Sequence, residues 1–369
     1  MNPLTARLLS VMQNPQSARH LSLAEWSDLV QMARRAGLLG RLASALLDAP
    51  DSPALPGAVR PHLESSRRVT VAQVDEIRRE ARHLMQALHD LKAPVVLLKG
   101  AAYVLAGLPA AEGRLFGDID ILVPRGVLEH AEARLAMHGW VTAKSDEYDQ
   151  AYYRRWSHEI APLQHAQRGT VLDLHHAIVP PHSRLRVPAA PLFERLVPID
   201  GHPGLWTLGP EDMVLHATVH LFLNDDTSHA LRDLSDLDRL LRHFGRDPAF
   251  WPSLVGRAGE LQVERLLHYA VRHLRRCMAT PIPAEVCDTL DRHAPRFPLS
   301  AIMDRVWLEV LQPRHERVRT AFTPLAEFLL IVRGHWLRMP LLPLVGHLAT
   351  KAAKRWSARR EAARADAPA

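Results

Sequence analysis

Cysteine is almost absent: Cys277 and Cys287 are the two in 369 residues. That is too few for a disulfide framework, and no metal-ligand spacing surrounds either, so a reducing, cytoplasmic setting is expected. No uninterrupted apolar run is long enough to span a bilayer. Met1 to Arg7 lacks a hydrophobic stretch of the kind a secretory leader carries. No repeat of fixed period is seen. Basic excess is missing from most of the chain too. The net charge is +6, yet from Arg333 onward eight Lys/Arg face two Asp/Glu, so the preceding residues balance. A neutral body argues against a broad nucleic-acid surface, and no specific nucleic-acid partner is expected.

What the sequence does hold is an acid pair where none is expected. Val95 to Leu98 is an apolar run that closes at Lys99-Gly100. After a short helix comes Arg114-Leu-Phe-Gly117-Asp118-Ile-Asp120-Ile-Leu-Val123. Strand residues two apart share a face, so Asp118 and Asp120 project together while Ile119, Ile121 and Val123 point the other way. Two adjacent ionised carboxylates repel and are costly to desolvate. A hard divalent cation compensates both. Val171-Leu-Asp173-Leu-His175 reads as another strand, with Asp173 and His175 on one face. If it lies beside the first, three carboxylates converge and can hold metals for in-line phosphoryl chemistry.

These residues resemble the DNA polymerase β-like nucleotidyltransferase superfamily, in the bacterial variant that carries Leu98-Lys99-Gly100 in place of Gly-Ser. The resemblance covers about residues 94–180 and extends loosely to 210–244. It implies an α+β fold: a small mixed β-sheet nucleotidyltransferase core flanked by N-terminal and C-terminal helical regions. It further implies Mg²⁺ or Mn²⁺ on Asp118, Asp120 and Asp173. Nucleoside monophosphate would pass from an NTP, commonly ATP, to an unknown acceptor hydroxyl or phosphate on a small molecule, peptide or protein. Lys99, Gly100, Ala101, Arg114 and Gly117 would lie along the triphosphate. Ala101 stands where the superfamily has a phosphate-contacting serine, and the interval from Gly100 to Asp118 is longer than usual. The alternative is therefore a catalytically inactive binding or antitoxin-like module. Arg114 reads equally well as a salt-bridge partner of Asp118 or a nearby acid, and Lys99 as a solvated strand end.

The rest divides into an N-terminal helical region (1–92), the α/β core (93–188), a C-terminal helical bundle (189–335) and a basic amphipathic tail (336–369). Ser22 and Glu25 form a capping box before a helix that Gly37 ends. Residues 48–61 read as a loop, and 69–91 as a helix with Val71, Val74, Ile77, Ala81, Leu84, Leu88 and Leu91 inward. In the core, strands are expected at 95–98, 118–123, 139–144, 153–162 and 170–176, with helices near 101–107 and 126–138. Helices are expected again from 210 to 335. His216 and His220 are four apart but lack the glutamate of the metalloprotease motif, so they read as core or partly exposed residues. His175, Arg232 and Asp236 are candidates on the substrate side. The tail joins apolar residues to Lys351, Lys354, Arg355, Arg359 and Arg360 around Trp356. It suits peripheral contact with an anionic membrane, at the inner face, or a last helix with a frayed basic end.

Overall fold

The computed structural model describes residues 1–49, 52–142, 153–154, 156–224 and 226–338. Most of the basic tail therefore lies outside the described residues. Four helices come first: α1 (Pro3–Gln13), α2 (Leu23–Arg35), α3 (Leu39–Leu47) and α4 (Arg60–Ala87). The capping box opens α2, with Ser22 and Glu25 exchanging side-chain to backbone hydrogen bonds. Gly37, at φ +68°, supplies the left-handed turn that ends it. α4 begins earlier than the expected helix, inside the segment read as loop, because Pro61 sits in the first turn, where its missing N–H leaves no bond unmade. It buries Leu63, Ile77, Ala81 and Leu84. Val71 is 57% exposed, which corrects its inward assignment.

Among the described residues one mixed sheet of seven strands carries the fold, in the order β3-β4-β5-β2-β1-β7-β6. The strands are β1 (Val95–Leu98), β2 (Ile119–Leu122), β3 (Trp140–Thr142), β4 (Leu163–His165), β5 (Val171–His175), β6 (Leu196–Pro198) and β7 (Leu205–Leu208). Between them lie α5 (Lys99–Leu105) and α6 (Leu128–Met137). β1 runs antiparallel to β2 and parallel to β7, and β2 runs parallel to β5. The central strands β1 and β2 are buried throughout, as their near-continuous apolar runs require.

Two expectations are corrected here. The strand placed at 153–162 is displaced: Tyr153, Arg154 and Trp156 are helical, and β4 starts at Leu163. Aromatic residues favour strands only where a sheet face receives them, and here context overrides that preference. The sheet also continues past residue 188. β6 and β7 join its β1 edge, in a stretch assigned to the helical bundle. β7 has four residues before Gly209, too few to display a periodicity.

The remaining helices are α7 (Pro210–Leu223), α8 (Ala230–Phe244), α9 (Phe250–Glu260), α10 (Glu264–Met278), α11 (Ala284–Asp291), α12 (Leu299–Val310) and α13 (Thr323–Arg338). Pro210, Glu211 and Asp212 open α7, with acids against the positive end of the helix. α7 is buried almost all round, packing on β7, α8, α10 and α13. Buried apolar side chains from the first helices, the sheet and the C-terminal helices form one continuous core.

Candidate active site

The parallel register of β2 and β5 sets Asp120 directly beside Asp173. Neighbouring strands lie about 4.8 Å apart, so the two carboxylates are close by construction. Asp118 stands two residues before Asp120, at the mouth. All three line one cavity of about 420 Å³, between the sheet, α7 and the end of α13. Lys99 enters it from the end of β1. Its Nζ is 2.9 Å from Asp120 Oδ1, so it is not a solvated strand end. Its backbone holds φ +44°, a left-handed conformation that costs a non-glycine residue about 1–3 kcal/mol. On the other side His175 Nε2 donates to Asp120 Oδ1 at 3.1 Å.

The family model described as an uncharacterised nucleotidyltransferase matches residues 22–279. The chain belongs to this nucleotidyltransferase family. No curated protein matches it. A solution structure of the antibiotic-resistance factor ANT(2'')-Ia is similar at 16% identity, with a TM-score of 0.31, over 54% of this chain and 98% of that one.

In this nucleotidyltransferase-family chain the three aspartates have unlike environments. Burial would raise Asp120, but the Lys99 charge and the His175 hydrogen bond outweigh it and hold Asp120 well below the usual carboxylate range. The cavity walls and then the Asp120 charge push Asp118 upward. Asp173 is pushed up to about 7 by burial, then by Asp120, Glu159 and Asp118. Burial pulls Lys99 down, yet the facing carboxylates raise it overall. Asp173 Oδ1 is buried and has no hydrogen-bond partner. An unsatisfied carboxylate oxygen beside two further carboxylates fits a hard divalent cation, whose preferred ligands are oxygens.

Several residues expected along the triphosphate do not line this cavity. Gly100 is needed for packing: a Cβ there would come within 2.5 Å of Arg114 Nη1 and 2.6 Å of Phe116 Cδ1. Ala101 is buried in α5. Arg114 is committed to Asp236, its Nε donating to Oδ2 at 2.9 Å, and its guanidinium lies over Phe116 and Tyr103. Asp236 also binds the buried Arg41. The partner of Arg114 is thus neither Asp118 nor an acid close to it in sequence but Asp236, 122 residues away, which is itself buried. Arg232 pairs with Asp233 on α8. Gly117 is exposed beside Asp118, with open space where a Cβ would point.

The cavity contains groups to which the sequence alone gave no role in the site. Trp156, His158 and Glu159 line it from the segment before β4. Helical at Trp156 and bridged to β5 at Glu159, this segment presents its side chains in directions that a strand over 153–162 would not. His216 and His220 line it from α7, so they are more than core filling. Their spacing of four was the available signal, but nothing local told which way that face turned. Burial first, then Lys99, holds both well below the usual histidine value, so both are neutral at pH 7.

Proposed function

We propose that this chain is a metal-dependent nucleotidyltransferase that moves a nucleoside monophosphate from an NTP, with ATP as the first donor to test, onto an acceptor hydroxyl or phosphate. One observation carries the reading: Asp120 and Asp173 are paired in register on neighbouring strands, Asp118 lies beside them, and Asp173 Oδ1 is buried without a partner. Asp118, Asp120 and Asp173 would hold Mg²⁺ or Mn²⁺, which when bound neutralises phosphate charge and aligns the attacking and leaving oxygens. Lys99 reinforces Asp120 as an anion and adds positive charge beside the acids. His175 fixes the orientation of the Asp120 carboxylate through its Nε2–H. Asp173, on the cavity wall beside the other two acids, would also be placed to take a proton from an acceptor hydroxyl.

The alternative is a binding module that keeps the fold without catalysis. It is favoured by Ala101, which has no hydroxyl and is buried away from the cavity. Incubation with Mg²⁺ or Mn²⁺ and each α-labelled NTP, with and without lysate, separates the two. The enzyme releases pyrophosphate or transfers label, and Asp120→Ala abolishes both. Equal signals from wild type and variant refute the enzyme reading.

The outer side chains of α13 would suit contact with an anionic membrane. Leu325, Phe328, Ile331 and Val332 are exposed on α13, ahead of the basic residues that follow Arg338 in sequence. Among the described residues no helix is long and apolar enough to cross a membrane.

A further inference from the structure

The geometry points to a second metal site, formed by His158, Glu159 and His175, that takes a borderline transition ion such as Zn²⁺. Each of the three residues offers a ligand atom within 4.8 Å of the other two. Glu159 Oε2 lies 3.5 Å from His175 Nε2 and 3.9 Å from His158 Nε2. Donors on a tetrahedral ion with bonds of about 2.0–2.1 Å sit roughly 3.3 Å apart. The three side chains are therefore near the spacing of a metal shell, and rotation of the imidazoles decides which nitrogen of each faces the ion.

The placement is rigid, because backbone pairing dictates it. Glu159 bridges His175 across an antiparallel contact. Ile160 N–H donates to Leu174 O, and His176 N–H donates to His158 O. The segment is laced to β5, so His158 and Glu159 are presented beside His175 and not left on a free loop. The imidazoles lie 5.3 Å apart, centroid to centroid.

An ordinary structural cluster would have its buried nitrogens satisfied. Here Nδ1 of His158 and Nδ1 of His175 are both buried without a hydrogen-bond partner. Two nitrogens and one carboxylate make a set unlike the all-oxygen group of the aspartates, and imidazole donors favour transition ions over Mg²⁺. Two histidines and a glutamate leave a fourth position open. All three residues line the cavity, so that position is accessible to solvent or a bound molecule. His175 also binds Asp120. Because that bond takes the Nε2 proton, the nitrogen His175 has open for an ion is the unpartnered Nδ1, and Asp120 orients the ring from its other nitrogen, a recurrent support of histidine-ligated metals.

This inference does not rest on nucleotidyl transfer, and its test needs no turnover. Untagged full-length protein, stripped with a chelator, is titrated with Zn²⁺ against a chromophoric competitor, and separately with Co²⁺ read by visible absorption. Wild type is expected to bind one Zn²⁺ per chain at this site and to give the intense absorption of four-coordinate Co²⁺. His158→Ala and the isosteric Glu159→Gln weaken Zn²⁺ by at least about 10-fold and bleach that band, with folding checked by circular dichroism. Asp173→Asn keeps Zn²⁺ while losing Mn²⁺ affinity. Unchanged Zn²⁺ binding in both His158→Ala and Glu159→Gln overturns the site. So does loss of Zn²⁺ in Asp173→Asn with retention in His158→Ala, since the ion then sits on the aspartates.

Discussion

Arg114 Nε donates to Asp236 Oδ2 at 2.9 Å, joining the loop before β2 to α8. Arg41, from α3, reaches the other oxygen of the same carboxylate and also donates to Ser235 Oγ at 2.6 Å. Three parts of the chain are thus tied at one buried anion. Burial lowers Arg41 to about 10, still protonated at pH 7. Burial opposes the charge on Arg114 too, but Asp236 and Asp233 outweigh it and raise Arg114 overall.

Removing that anion strands two buried cations. Asp236→Ala is expected to destabilise the protein by about 3–5 kcal/mol, the usual consequence of leaving a buried charge unpaired. Chemical denaturation followed by tryptophan fluorescence measures it. A change below about 1 kcal/mol would mean that the cluster is not closed to water.

Gly100 and Gly117 make a contrasting pair. Gly100→Ala forces a methyl group against Arg114 and Phe116, and Arg114 cannot swing aside while Asp236 holds it. A loss of about 1–3 kcal/mol follows, as for other overpacked sites. Gly117→Ala meets open space and should leave stability within about 0.5 kcal/mol of wild type. Thermal melts of the two variants test the contrast; equal midpoints would contradict the packing role of Gly100.

Asp173 gives the metal-free protein a pH-dependent stability with a definite sign. Its folded value, about 7, lies above its ordinary 3.8, so between these values the folded state binds the extra proton. The contribution is present at low pH and is lost as pH rises through about 7. Without metal the melting temperature should fall between about pH 4 and pH 7 and level off above, and Asp173→Asn should flatten the slope. Saturating Mg²⁺ should raise the melting temperature most at the alkaline end, where the carboxylate is ionised. A Mg²⁺ effect independent of pH, or unaltered in Asp173→Asn, would remove Asp173 from the ion's ligands.

On α13, Phe328 and Ile331 are 59% and 40% exposed. Vesicles containing anionic lipid should float the full-length protein, and Phe328→Glu combined with Ile331→Glu should abolish flotation. Truncation after Arg338 removes most of the basic tail and should reduce it, each lost Lys or Arg being worth about 1 kcal/mol near such a surface. Equal flotation of all three proteins, or none by wild type, ends the membrane proposal.

Reading along the chain was enough for whatever depends on near neighbours. The Ser22–Glu25 cap, the Gly37 turn, the all-buried β1 and β2, and the shared face of Asp118 and Asp120 each follow from residues a few positions apart, where steric and hydrogen-bonding rules act directly. Strand order and register are different: they are set by how distant surfaces pack. Only the folded chain pairs Asp120 with Asp173, commits Arg114 to Asp236 and turns His216 and His220 toward the acids. A charged side chain far along the chain has many candidate partners, and burial selects among them by the cost of leaving any ion unpaired.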